Sequence, residues 1–304
     1  MKALFQKIYR TRALLYMVLP AAAVIFVFQY IPMGGLVLAF KQYKVTDGFW
    51  NSKWVGFKNF RFFFMSNKAT ELTLNTMLYN LTFILVNNIT EVVCAVILAE
   101  ITSKVFKKAV QTALLFPYFM SWIIVSSIVY NLFNYDNGLV NGYLKSIGAE
   151  PINMYENKSA WRYIIIFFNA WKSVGYGTVV YYAAIMSIDG ELYDVAQIDG
   201  ANIYQTTLHI TIPGISPTIV TLVLLSVARI FRGDFGLFYN LIGNNGYLLE
   251  TTDIIDTYVF RALFQSSEVG MSSAVGFYQS VLCFVTIITV NAVTKLVSPD
   301  YALF

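Results

Sequence analysis

The residues with most chemistry to offer lie inside stretches that are otherwise apolar. Asn80, Asn87 and Glu91 recur at i, i+7 and i+11, one face of a helix. Asn169, Lys172 and Tyr176 form a second cluster, with Trp171 beside it. Ser226, Arg229 and Gly233 share a third face, with Arg232 to one side. Amides glue helices together, so the Asn stripe reads as packing at least as readily as ligand contact. A charged group at the centre of a membrane helix costs roughly 2.5–3.5 kcal/mol. Lys172, Arg229 and Arg232 therefore lean towards lining an interior cavity, while Glu91 is placed to neutralise Lys172 or Arg229.

Catalytic chemistry is harder to find. No nucleophile–base arrangement stands out. His209 is the single histidine and has no companion at metal-ligand spacing, so neither a catalytic nor a metal role is assigned. Cys94 and Cys283 both sit in apolar runs, which suits neither a disulfide framework nor zinc. No Gly-x-x-x-x-Gly-Lys-Ser/Thr loop is present to hold the phosphates of ATP.

The elements that must position these residues follow from composition. Of 304 residues, 57% are hydrophobic, 17% aromatic and 12% charged. Soluble domains carry about twice that charge. A mean hydropathy of +0.60 completes the case for a membrane protein. The net charge of +4 is too mild to suggest a nucleic-acid partner. Six stretches meet the length of roughly 20 residues that a spanning helix needs. They are Ala13–Phe40, Leu72–Ile101, Ala109–Phe133, Trp161–Ile188, Ser216–Leu241 and Val269–Thr294. Lys2, Lys7, Arg10 and Arg12 precede the first, which is too long for a cleaved signal and reads as an uncleaved span. The expectation is an all-α polytopic protein, one domain over 1–304, with both termini in the cytoplasm. Charge supports that orientation only in part. Lys104, Lys107 and Lys108 fall on the cytoplasmic side, but Lys41, Lys44, Lys53, Lys58, Arg61 and Lys68 would lie outside.

One loop breaks the hydrophobic pattern. Ile188–Pro217 opens with Asp189 as a helix cap and Glu191 in the first turn. Asp199-Gly200 signals a turn, Ala201–Ile210 suits a second short helix, and Pro213 and Pro217 mark the return to the membrane. Spacing alone leaves a mere connector and a docking element equally open.

Here the chain resembles a family. Asp194-Val195-Ala196, Asp199-Gly200-Ala201 and Ile210-Thr211-Ile212-Pro213 are similar to the cytoplasmic loop of binding-protein-dependent ABC importer permeases, Asp and Val replacing that family's Glu and first Ala. Trp54–Phe60, Asn75-Thr76 and Gly270–Ala274 resemble motifs of maltose-type sugar permeases. Ile242–Gly246 with Thr252–Tyr258 resembles the branch handling oligosaccharides, polysaccharides and aldouronates. The resemblance implies that Glu191, Asp194, Ala196, Asp199, Gly200, Ala201 and Pro213 dock on an ATPase. It also implies a second permease subunit, two ATPase subunits holding ATP and Mg, and an extracytoplasmic binding protein in a bacterial inner membrane. This chain itself would bind no cofactor. The helices flanking the loop would then touch sugar: Tyr176 and Trp171 by stacking, Asn169 and Ser226 by hydrogen bonds. The three mid-depth bases Lys172, Arg229 and Arg232 would suit an acidic sugar better than a neutral one, unless Glu91 and Asp234 cancel their charge. An ion-coupled secondary transporter would also use Glu91 and the buried bases, but predicts internal repeats that are not seen. A membrane enzyme would need a catalytic constellation.

Overall fold

The computed structural model describes residues 12–297. Lys2, Lys7, Arg10 and both chain termini, on which the orientation rests, lie outside the described residues. The regular elements are almost entirely helical. In chain order they are α1 (Arg12–Ile25), the two-residue strands β1 (Lys41–Gln42) and β2 (Lys53–Trp54), and α2 (Lys58–Met65). Then come α3 (Lys68–Glu100), α4 (Lys104–Phe119), α5 (Trp122–Phe133), α6 (Leu139–Ser146), α7 (Lys158–Ile185), α8 (Gly190–Ile198) and α9 (Ile203–Thr206). The last elements among the described residues are α10 (Ile212–Val227), α11 (Phe235–Ile242), α12 (Gly246–Thr252), α13 (Ile255–Phe264) and α14 (Val269–Val297).

Among the described residues, four helical stretches are long and apolar enough to cross a membrane: Tyr16–Phe40, Lys68–Glu100, Ile203–Val227 and Val269–Leu296. A fifth is the pair α4 and α5, which meet at 94°. The bend follows Pro117, and Ser121 restarts the helix by accepting the Ile124 N–H. The expected segment Trp161–Ile188 falls on α7, whose 28 residues extend about 42 Å. It is long enough to cross, but Asn169, Lys172 and Ser173 interrupt its apolar run. Apolarity and length thus support four to five spans where six were expected.

The expected span Ser216–Leu241 is also corrected. Its helix begins earlier and ends sooner. A wide π-helical turn at Thr207–Thr211, closed by the Ile212 N–H on the Thr207 carbonyl, joins α9 to α10. The helix therefore runs through Pro213 and Pro217 instead of starting between them at Ser216. It stops at Val227, and residues 228–234 are non-helical before Asp234 caps α11.

Contacts divide the chain into two compact units. One holds the described residues up to Ser66 together with Val259–Tyr278. There β1 and β2 pair antiparallel, Lys41 against Trp54. Gly56 adopts φ +58°, and Asn59 Nδ2 donates to the carbonyls of Ala39 (2.8 Å) and Lys41 (3.0 Å). A Cβ on Gly270 would lie 2.9 Å from that same amide nitrogen, so two motifs distant in sequence meet here. Phe40, Phe60 and Phe277 pack around this lock. Lys41, counted among the external bases, is 4% exposed and donates to the Phe49 and Trp50 carbonyls at 3.0 Å each.

The other unit holds Asn67–Tyr258 and the described residues from Gln279 on. Its axis is α7, packed chiefly on α3 and then on α4. One apolar cluster gathers Tyr79 and Phe83 of α3, Trp161, Ile165 and Phe168 of α7, and Leu237, Phe238 and Leu241 of α11. A second joins Ala95, Tyr181, Ile185 and Ile215. Between the two, along both long helices, lie the polar residues.

Candidate functional site

A cavity of about 470 Å³ opens between these clusters. Of the residues expected on a substrate path, Asn87, Glu91, Asn169, Tyr176, Ser226, Arg229 and Arg232 line it. Their faces are set by helical periodicity on α3 and α7. Arg229 and Arg232, however, stand on the non-helical 228–234 segment rather than on a helical face.

Asn87 Nδ2 donates to Asn169 Oδ1 at 3.0 Å, which joins α3 to α7. Asn87 Oδ1 is buried and has no hydrogen-bond partner among the described residues. The Glu91 carboxylate lies over Gly177, where a Cβ would come within 1.9 Å of its carbon. Among the described residues Glu91 forms no salt bridge, so its expected pairing with Lys172 or Arg229 is not made. Arg229 and Arg232 are exposed, and neither guanidinium has a hydrogen bond or salt bridge among the described residues. Tyr176 stacks on Tyr118 with centroids 5.1 Å apart. Ser226 Oγ is turned back onto the Leu222 carbonyl at 2.8 Å.

Two expected residues are engaged elsewhere. Trp171 packs at the edge of the first apolar cluster, its ring at right angles to Phe168. Lys172 Nζ donates to the Tyr118 carbonyl at 2.8 Å and lies over the rings of Tyr118 and Trp122. That carbonyl is one of the last of α4, where helix geometry leaves acceptors unpaired and the dipole favours a cation. Lys172 therefore closes the α4–α5 bend.

Other lining residues carry weight that the substrate-path reading did not give them. Asn80 also faces the cavity, and its amide holds the 228–234 backbone. Asp234 accepts the Trp122 indole N–H at 3.0 Å and the Leu237 N–H at 3.0 Å. Asn88 accepts a hydrogen bond from the Tyr181 hydroxyl. Asn80 was legible from its shared face with Asn87. Gly177, whose bareness makes room for Glu91, carries no signal in sequence.

The loop between α7 and α10 is a second site, built locally. Asp189 accepts the Glu191 N–H at 3.0 Å and caps α8. At the other end, Ala201 N–H reaches the Ala196 carbonyl (2.9 Å) and Gly200 N–H the Gln197 carbonyl (3.1 Å). This is a Schellman termination, and it requires the left-handed φ of +75° that Gly200 adopts. Asn202 and Gln205 then form a capping box for α9. Tyr193 and Thr211 join the loop's two halves, their hydroxyls 3.1 Å apart. Ala196 is buried in this turn; Glu191, Asp194, Asp199 and Pro213 are exposed, as are Val195, Ile198, Tyr204 and Leu208. His209 Nδ1 lies 2.9 Å from the Gln205 carbonyl, one turn back on its own helix.

Chemically, the cavity offers two guanidinium groups, the carboxylates of Glu91 and Asp234, amides and hydroxyls, and no nucleophile–base pair among its described lining residues. Among the described residues no cluster of His, Cys, Asp and Glu could hold a metal. Its equipment is for binding a polar solute.

This chain is similar to known proteins over nearly its whole length. Residues 91–299 match the family model of the binding-protein-dependent transport system inner membrane component. Protein LplB of Bacillus subtilis (strain 168) is 32% identical over 94% of this chain and 89% of its own length. The polygalacturonan/rhamnogalacturonan transport system permease protein YteP of the same organism is 33% identical over 97% of this chain and 91% of its own. A chain in the crystal structure of a bacterial alginate ABC transporter, in complex with alginate pentasaccharide-bound periplasmic protein, superposes with a TM-score of 0.85 at 32% identity. That match covers 97% of this chain and 98% of the other. With an unactivated polar cavity, an exposed capped loop and this extent of likeness, the chain belongs to the binding-protein-dependent inner membrane component family, as a multi-pass permease subunit of an ABC transporter.

Proposed function

We propose that this chain forms half of the membrane path of an ATP-driven importer for an oligosaccharide that carries carboxylates. The observation behind the reading is the pair Arg229 and Arg232, which line the cavity beside Asn87 and Asn169 with guanidinium groups that form no hydrogen bond or salt bridge among the described residues. Guanidinium matches a carboxylate with two parallel hydrogen bonds. Asparagine offers donors and acceptors suited to hydroxyls, and Tyr176 presents a ring for a sugar face. Relatives support the chemistry, since one is named for polygalacturonan and rhamnogalacturonan and a solved transporter imports the acidic polysaccharide alginate.

In this reading six crossings make one transmembrane domain with both termini in the cytoplasm. Ile188–Pro217 sits in grooves on two separate ATPase subunits, which hold ATP and Mg. The contact uses Glu191, Asp194 and Asp199 together with the apolar surface of Val195, Ile198 and Tyr204. A second, different permease subunit completes the path, and an extracytoplasmic binding protein delivers the sugar. ATPase closure then shifts the population between inward- and outward-facing states. Family membership does not favour the ion-coupled alternative.

The test is uptake by the assembled transporter carrying Arg229→Gln, with an oligogalacturonate and a neutral oligosaccharide of equal length. A hydrogen bond to a charged group contributes about 1.5–3 kcal/mol, so acidic uptake should fall about tenfold or more. Neutral uptake should change less than about twofold on the same scale. Equal loss of both would sink the carboxylate reading.

A further inference from the structure

The 228–234 segment poses a physical problem of its own. Irregular backbone beside two long membrane helices exposes carbonyl and N–H groups that each cost several kcal/mol if left unpaired in hydrocarbon. Part of the demand is met within the segment: Ile230 N–H reaches the Val227 carbonyl at 3.0 Å, and Arg232 N–H reaches that of Arg229 at 2.8 Å. The rest is met by side chains from three other helices. Asn80 of α3 donates through Nδ2 to the carbonyls of Ile230 (2.8 Å) and Arg232 (3.2 Å). Gln279 of α14 donates through Nε2 to the Phe231 carbonyl (2.9 Å) and to Asp256 Oδ2 (2.9 Å). Asp256 of α13 accepts the Gly233 N–H at 2.8 Å with that same oxygen. Gly233 can enter this grip because it has no side chain; a Cβ there would stand 2.3 Å from Ile254 Cδ1.

Four consecutive residues, 230 to 233, thus each have a backbone group held by a side chain from outside the segment. From the 228–234 stretch the cavity is lined by Arg229, Arg232, Gly233 and Asp234, and the two arginines are its only cations there. A segment needed only to link α10 and α11 could have continued as helix, with its bonds made internally. We propose that Asn80, Gln279 and Asp256 form a clamp that fixes the broken backbone and thereby aims Arg229 and Arg232, making the three positioning residues for selectivity between acidic and neutral solutes. The selectivity part of this inference rests on the function proposed above; the clamp itself does not.

Two measurements separate them. In the assembled transporter, Asn80→Leu keeps shape and removes the two donated bonds. It should lower acidic uptake at least fivefold while neutral uptake stays within twofold, fold-changes set by one to two hydrogen bonds. Added to the Arg229→Gln, Arg232→Gln double variant it should cause no further loss of acidic uptake, because the clamp acts through those two groups. Losses that multiply would overturn the positioning role. The second measurement needs no sugar. In a chain with Cys94→Ser and Cys283→Ser, an Arg229→Cys thiol is alkylated by a charged maleimide in the purified complex, with and without Asn80→Leu. A severalfold change in rate supports the clamp, and an unchanged rate overturns it. Should Arg229→Gln reduce both sugars alike, the carboxylate reading fails while the alkylation rates still decide the clamp. Gln279→Met, which removes a different donor, serves both assays if Asn80→Leu does not co-purify with its partner subunits.

Discussion

The cavity and the loop at Ile188–Pro217 are both polar breaks in an apolar chain, yet they are built on opposite principles. In the loop most stabilising bonds close within a few residues: Asp189 to Glu191, Asn202 to Gln205, Gly200 to Gln197. In the cavity the partners are far apart in sequence. Asn87 meets Asn169 across 82 positions, Trp122 meets Asp234 across 112, and Asn80 meets Ile230 across 150. The loop is a surface whose shape is written locally, so it can be presented intact to a partner while the helices behind it move. The cavity exists only when α3, α7, α10 and the 228–234 segment are assembled. A lesion in the first should therefore damage coupling and spare assembly, and a lesion in the helix packing behind the second should damage assembly.

The largest effect is expected where the long helices come closest. A Cβ on Gly175 of α7 would lie 2.0 Å from the Leu114 carbonyl oxygen of α4 and 2.4 Å from its carbon. Both are backbone atoms, so no side chain can turn aside and the helices must separate. Overpacking of this kind costs about 1–3 kcal/mol and sometimes more. Gly175→Ala should cut the yield of monodisperse, assembled protein severely on size-exclusion chromatography. Gly142→Ala, with no heavy atom within 4 Å of the added carbon, should leave the yield unchanged. Normal assembly of Gly175→Ala would mean that the close crossing is not what holds the cavity's wall.

The same division governs what could be read from the sequence. The loop's caps were legible because Asp189 and Asp199-Gly200 act on their own neighbours; the prolines misled, since the helix runs through both. The periodicity of Asn80, Asn87 and Glu91 was legible too, since a helix fixes which residues share a face. What escaped depends on distant partners. Lys172 looked like a mid-membrane charge facing a cavity; the α4–α5 bend supplies a carbonyl and two rings that engage it. Ser216–Leu241 looked like one span because its composition is apolar almost throughout. The chain breaks there because Asn80, Asp256 and Gln279 satisfy the unwound backbone, and none of them is near it in sequence. The oligosaccharide-branch motifs had a structural meaning that pattern alone did not disclose. Asn75 donates to the carbonyls of Glu250 (3.2 Å) and Asp253 (3.1 Å), and Thr76 accepts the Ile255 N–H (3.1 Å), so two quoted motifs are the two sides of one junction.

A smaller effect, confined to coupling, is expected at Gly200. Space around it is open, so only its backbone matters. A residue with a Cβ held at φ +75° loses about 1–2 kcal/mol, more for a β-branched side chain. Gly200→Val should lower ATP-driven uptake several-fold while leaving assembly and the acidic-over-neutral preference as they were. Gly200→Asn, which tolerates the left-handed region, should retain most of the uptake. Loss of the sugar preference in Gly200→Val would contradict the separation of the two regions.

The smallest effect is the most local. Asn202→Ala removes one half of the capping box on α9, a change of about 0.5–2 kcal/mol in helix stability. Because α9 runs through the π-helical turn into α10, the lesion sits on a continuous helix that reaches both regions. Hydrogen exchange should therefore show where the loop ends mechanically. Amides of Ile203–Thr206 should exchange several-fold faster in the variant, and those of 228–234 should not change. If the loop's order were instead maintained from the cavity, the cap would matter little and exchange at 203–206 would stay slow. If acceleration spread along α10 to 228–234, the helix would be transmitting loop disorder to the arginine-bearing segment. The two regions would then be one mechanical unit despite their different construction.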